Sequence, residues 1–111
     1  MTKTQKENYA TTLDQFSRES GKTVQELIPI LDKLHRYETT LNRINEIACD
    51  RDLTPPEERR YENTTQKVET LVHELGFQVK FNGDPRGAAI KIKLPSRRYN
   101  SWDGESWVID W

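Results

Sequence analysis

Along the first two-thirds of the chain, apolar residues recur every three or four positions; after that they recur every second position. Leu27, Leu31, Leu34, Tyr37, Leu41, Ile44 and Ala48 mark one stripe of a long helix. Tyr61, Thr65, Val68, Val72 and Leu75, flanked by Leu71, mark the stripe of another. Tyr9, Leu13 and Phe16 predict a shorter helix over 4–18, broken by Ser20-Gly21-Lys22. The period then changes to two. Phe77, Val79 and Phe81 share one strand face, with Gln78 and Lys80 on the other. Ala88, Ile90, Ile92 and Leu94 alternate in the same way with Ala89, Lys91 and Lys93. "SWVIDW" at 106–111 predicts a third strand, which a hairpin needs because two strands alone are marginal.

The boundaries carry their own signals. "TVQE" at 23–26 and "TPPE" at 54–57 are capping boxes, the second with Pro55 at the first helical position, where a missing N–H costs nothing. Pro29 lies deeper, and predicts a kink or a later start to the regular helix. Gly76 stops the last helix. The short connection at 49–54 makes the two long helices antiparallel neighbours whose stripes form mutual core, with spare apolar surface that could support a homodimer. Helices first and strands after predict an α+β fold: one domain over 1–111, with a helical part at 1–76 packed on a three-stranded antiparallel sheet at 77–111.

One hundred and eleven residues suit a single domain. Hydrophobic and charged residues are nearly balanced, at 33% and 32%, but three Trp, four Tyr and three Phe argue against disorder. No apolar run approaches a membrane-spanning length and the first residues lack a signal-peptide core, so a cytoplasmic protein is the expectation. The single Cys49 cannot form an internal disulfide. The net charge of −1 is uneven. Residues 1–76 carry 11 basic against 14 acidic groups, whereas 77–100 carry six basic groups against Asp84 alone. This segment could attract an anion; equally, its lysines could keep a sheet face solvated and block edge pairing.

Two loops concentrate the candidate chemistry. In "NGDPRG" at 82–87, Asp84 can accept the Arg86 amide, Pro85 presets its φ and Gly87 suits the last position of a type I turn. The turn does not require Arg86, whose guanidinium either projects for a partner or is merely solvated. The loop at 95–106 holds Arg97, Arg98, Tyr99 and Trp102, a mixture in which cations can pair with phosphate while rings stack on a base. Trp102 could instead plug the core, as Trp107 and Trp111 are expected to do. Nucleophilic catalysis lacks support: there is no G-x-S-x-G, no phosphate-binding glycine loop and no evident histidine partner for Cys49. Asp32 with His35, and Glu69 with His73, could meet across the helical hairpin as a His/carboxylate metal site, but His73 lies off the stripe. Neither metal nor cofactor is expected.

Residues 70–111 resemble small proteins of bacteriophages and prophages of unknown function, through "ELGF", "NGDPRGAAIKI", "NSWDG" and a tryptophan-containing end. The resemblance implies a phage accessory protein in a host bacterial cytoplasm, where such proteins often block a defence by sequestering a nucleotide signal or gripping a protein. It supplies no catalytic residues. The expectation is therefore a non-enzymatic binder of a nucleotide-like or other phosphate-bearing ligand. Arg86, Arg97, Arg98, Lys80, Lys91 and Lys93 would supply charge, Asp84 the turn, and Tyr99 and Trp102 stacking. The alternatives are a protein–protein inhibitor of a host defence enzyme and the metal-binding hairpin.

Overall fold

Thr23 is the N-cap of the longest helix: its hydroxyl accepts the Glu26 amide at 3.2 Å, so one of the unpaired first-turn donors is satisfied. The computed structural model describes residues 3–83 and 89–95, apart from the side chains of Gln5 and Asn8. Within these, helix α1 spans Lys3–Ser20, α2 Val24–Asp50 and α3 Pro55–Glu74; strand β1 spans Gln78–Phe81 and β2 Ile90–Lys93. Helix α2 runs without interruption through Pro29. The proline is exposed, and the carbonyl its ring leaves without a donor belongs to exposed Gln25, where water can replace the lost bond.

Glycines end two of the helices. Gly21 (φ +74°) donates its amide to Ser17 at 3.1 Å, the single-bond left-handed cap. At the end of α3, Gly76 (φ +81°) donates to the His73 carbonyl at 2.9 Å and Phe77 donates to Val72 at 3.2 Å. These paired bonds make a Schellman motif, and they deliver Phe77 to the core one residue before β1 begins. The Phe77 ring meets Phe16 of α1 edge-on, with centroids 4.9 Å apart and planes at 71°.

Helix α2 is the centre of the molecule, packing against α1 on one side and α3 on another, while α3 also packs on β1. The core joins Leu13 and Phe16, Leu27, Leu31, Leu34 and Leu41, Val68 and Val72, and Phe77, Ile90, Ile92 and Leu94. Each fully buried side chain of this size stabilises the fold by about 1.5–3 kcal/mol relative to exposure.

The stripes differ from the expected ones on both long helices. Ala48 is exposed and Tyr37 only half-buried, whereas Glu38 and Asn45 are buried. Six of the seven buried α2 residues, 27, 31, 34, 38, 41 and 45, keep a four-three spacing, with Ile44 beside Asn45 as the seventh, so the face is set by helical phase even where the residue is polar. On α3, Thr64 is buried and Thr65 only half-buried; the Thr64 hydroxyl donates to the Arg60 carbonyl at 2.7 Å, which lets it sit inside.

The sheet is antiparallel, with Gln78 opposite Lys93, Val79 opposite Ile92, Lys80 opposite Lys91 and Phe81 opposite Ile90. The architecture is α+β: three helices and, among the described residues, one two-stranded sheet. The expected third strand at 106–111 lies outside the described residues. No helix among them is long and apolar enough to cross a membrane.

Candidate functional site

Alternation and register together gather cations on the outer face of the hairpin. Lys80 stands directly opposite Lys91, and Lys93 lies two residues along β2 on the same face, opposite Gln78. Like charges placed directly across a ladder disfavour the pairing, so the register sets Lys80 against Lys91 at a cost. The three are not equally accessible. Lys80 is exposed, Lys91 half-buried and Lys93 only 6% exposed. The face is therefore solvated at Lys80 and covered at Lys93. Alternation determines which face a residue takes, and it carries no information about what lies over that face. Ala89, expected on the outer face, is also buried, at the entrance to β2. At its Lys93 end β2 is thus covered on both sides, whereas Gln78 and Lys80 of β1 face outward. Lys80 and Lys93 each have interaction partners.

The hairpin is fastened at the loop that leads to the expected turn. The Asn82 amide donates to the Ala89 carbonyl at 2.8 Å, closing the ladder. The Asn82 carbonyl accepts from Asn45 Nδ2 on α2 at 3.0 Å, a bond between residues 37 apart in sequence. A buried side-chain amide therefore ties the long helix to the root of the connection at 82–89. One turn back on α2, Asn42 Oδ1 is buried without a hydrogen-bond partner among the described residues. The remaining expected site residues, Asp84, Arg86, Arg97, Arg98, Tyr99 and Trp102, lie outside the described residues.

Of the residues considered for a metal site, Asp32 has a partner and the others are exposed. Asp32 Oδ1 accepts the Tyr9 hydroxyl at 3.3 Å, and burial, followed by the Asp32 charge, raises the Tyr9 phenol above its ordinary value. His35, Glu69 and His73 are exposed. No group of three or more His, Cys, Asp or Glu side chains suited to a metal ion occurs among the described residues.

A second surface was not anticipated from the sequence. On the open side of the α2–α3 hairpin, a groove of about 490 Å³ is lined by Tyr37 and Thr40 of α2 and by Arg59, Arg60, Asn63 and Lys67 of α3. It continues past Tyr37 toward Thr70 and Leu71. At the other end it adjoins a smaller cavity of about 110 Å³ that includes Arg43, Ile44, Ile47 and Glu57. Glu57 is neutralised by Arg51, whose two guanidinium nitrogens each donate at 2.8 Å. The periodicity places Arg60 and Lys67 on one face, seven residues apart, but does not reveal that this face adjoins α2 along an open seam. No protein-family model, no curated protein and no solved structure matches this chain.

Proposed function

We propose that the protein is a non-enzymatic binding protein that takes a nucleotide or another phosphate-bearing ligand at the outer face of its hairpin and the connection at its tip. The observation that carries this reading is the register that sets Lys80 against Lys91, with Lys93 on the same face. Arg86 lies in the adjoining connection, and Arg97, Arg98, Tyr99 and Trp102 follow β2 closely in the chain. Arginine suits the task because its planar fork donates two parallel hydrogen bonds to a phosphate. Because Lys80 and Lys93 already have partners, anion binding here is an exchange of partners, and its affinity is the difference between the two. A third strand from 106–111 fits the same picture, since β2 is the more covered of the two strands. The resemblance of residues 70–111 to phage proteins supports a role against a bacterial defence, in the host cytoplasm, by sequestering such a ligand.

The test is calorimetric titration with nucleoside mono-, di- and triphosphates at two salt concentrations. Binding should weaken as salt rises. Lys80→Gln with Lys91→Gln should weaken it further without lowering the melting temperature. Arg86→Ala should cost roughly 1.5–3 kcal/mol of affinity, the scale of a hydrogen bond to a charged group. Absence of binding by every nucleotide, or binding indifferent to all three substitutions, would refute the assignment.

A further inference from the structure

The groove between α2 and α3 has a length, a floor and a charge distribution that together specify an occupant. From Pro56 to Leu71 it follows α3 for 15 residues, about 22 Å at the helical rise, or four turns. Half-buried Tyr37 and Leu71, which pack against the core, form an apolar floor, and Ile47 extends it beyond Thr40. Cations border it: Arg59, Arg60 and Lys67 on α3 and Arg43 on α2. None of the four forms a salt bridge among the described residues. No acidic side chain of α3 lines the groove between Pro56 and Leu71. Glu62 and Glu69 each follow Arg60 and Lys67 by two residues, roughly 200° around the helix, so they point away from the seam. The one carboxylate at the groove's end, Glu57, is held by Arg51.

The geometry points to a docking site for an acidic amphipathic helix of another protein. Arg60 and Lys67 are seven residues apart, about 10 Å along the axis. That is too far for one phosphate group to bridge, but it equals the spacing of two carboxylates at i and i+7 on a docked helix. The same docked helix would lay apolar residues at three-four spacing on the Tyr37–Leu71 floor, the usual mode of helix-in-groove recognition. Cations at the rim steer and orient such a partner, while the apolar floor holds it. This surface is separate from the hairpin face, and the inference stands whether or not that face binds phosphate.

The probe is a synthetic 18-residue helical peptide with leucines at three-four spacing and glutamates at i and i+7 on its flanks. It is titrated into the full-length, isotope-labelled protein. Its amide shifts should map to Tyr37, Thr40, Asn63, Lys67 and Leu71. Arg60→Glu with Lys67→Glu should weaken binding by about tenfold or more without lowering the melting temperature, and a peptide with lysines in place of the glutamates should then bind that variant better than it binds the original protein. Four results would overturn the inference: equal binding of a scrambled peptide of the same composition; shifts confined to β1 and β2; a nucleoside triphosphate perturbing the groove while the peptide does not; or concentration-dependent self-association through the groove that the peptide fails to displace.

Discussion

Glu57 is held by three groups at once. Its Oε1 accepts from Arg51, from the Thr54 amide at 2.8 Å and from the Thr54 hydroxyl at 2.9 Å, while Oε2 takes the second Arg51 nitrogen. One residue thereby closes the capping box of α3 and ties the connection after α2 to the first turn of α3. The Arg51 hydrogen bonds, and then the Thr54 amide, lower its carboxyl from an ordinary 4.5 to about 2. A depressed carboxylate contributes stability that is fully present above its unfolded value and is lost as pH falls through its folded one. The difference in melting temperature between the original protein and Glu57→Gln should therefore be constant above pH 5 and shrink between about 4.5 and 2. A difference that does not change over that interval would mean that Glu57 acts through shape rather than charge.

At the scale of elements, the hairpin is positioned by one buried amide. Asn45 is 5% exposed and donates to the Asn82 carbonyl, so it fixes the root of the β1–β2 connection relative to α2. Asn45→Ala should destabilise the fold by about 1–3 kcal/mol, the cost of stranding a buried polar group, measured by urea denaturation. A loss under about 0.5 kcal/mol, the range of an uninvolved surface change, would show that the hairpin needs no such tie. Most element boundaries were readable in advance, because Thr23, Thr54, Pro55, Gly21 and Gly76 act through local geometry that each residue type specifies by itself. Asn45 and Glu38 were not. Apolar periodicity passes over polar residues, and it names neighbouring Ala48 instead, although seven-residue spacing from Glu38 to Asn45 keeps both on the buried face.

Across the whole molecule, α1 is joined to the rest by Leu13 and Phe16 from inside and by the Tyr9–Asp32 bond outside. Phe16 is fully buried and meets Phe77 at the threshold of β1. Phe16→Ala should cost about 3–5 kcal/mol in chemical denaturation, the loss expected when a core ring is emptied; a cost under about 1 kcal/mol would make α1 a peripheral attachment. The candidate sites were legible to unequal degrees at this scale. Alternation alone puts Lys80, Lys91 and Lys93 on one face, and the register confirms their juxtaposition. That Lys93 is covered while Lys80 is not depends on packing between distant parts of the chain, which no local pattern records. The α2–α3 groove was illegible for the same reason: Arg60 and Lys67 read as a solvated helix face until α1 and the sheet are seen to occupy the other sides of the helical pair.

The corner at Gly76 also constrains how this chain can change length. Helix becomes strand across Leu75–Phe77 with no spare residue, and two backbone bonds lock the crossing. One residue inserted in the last turn of α3 would rotate everything beyond it by about 100°, turning Phe77 out of the core and the lysine face toward the helices. The strands on either side of the connection at 82–89 are registered by their own ladder. A change of length between the strands therefore spares their pairing but alters the proposed ligand site, which includes Arg86, whereas one at the corner disrupts the fold itself.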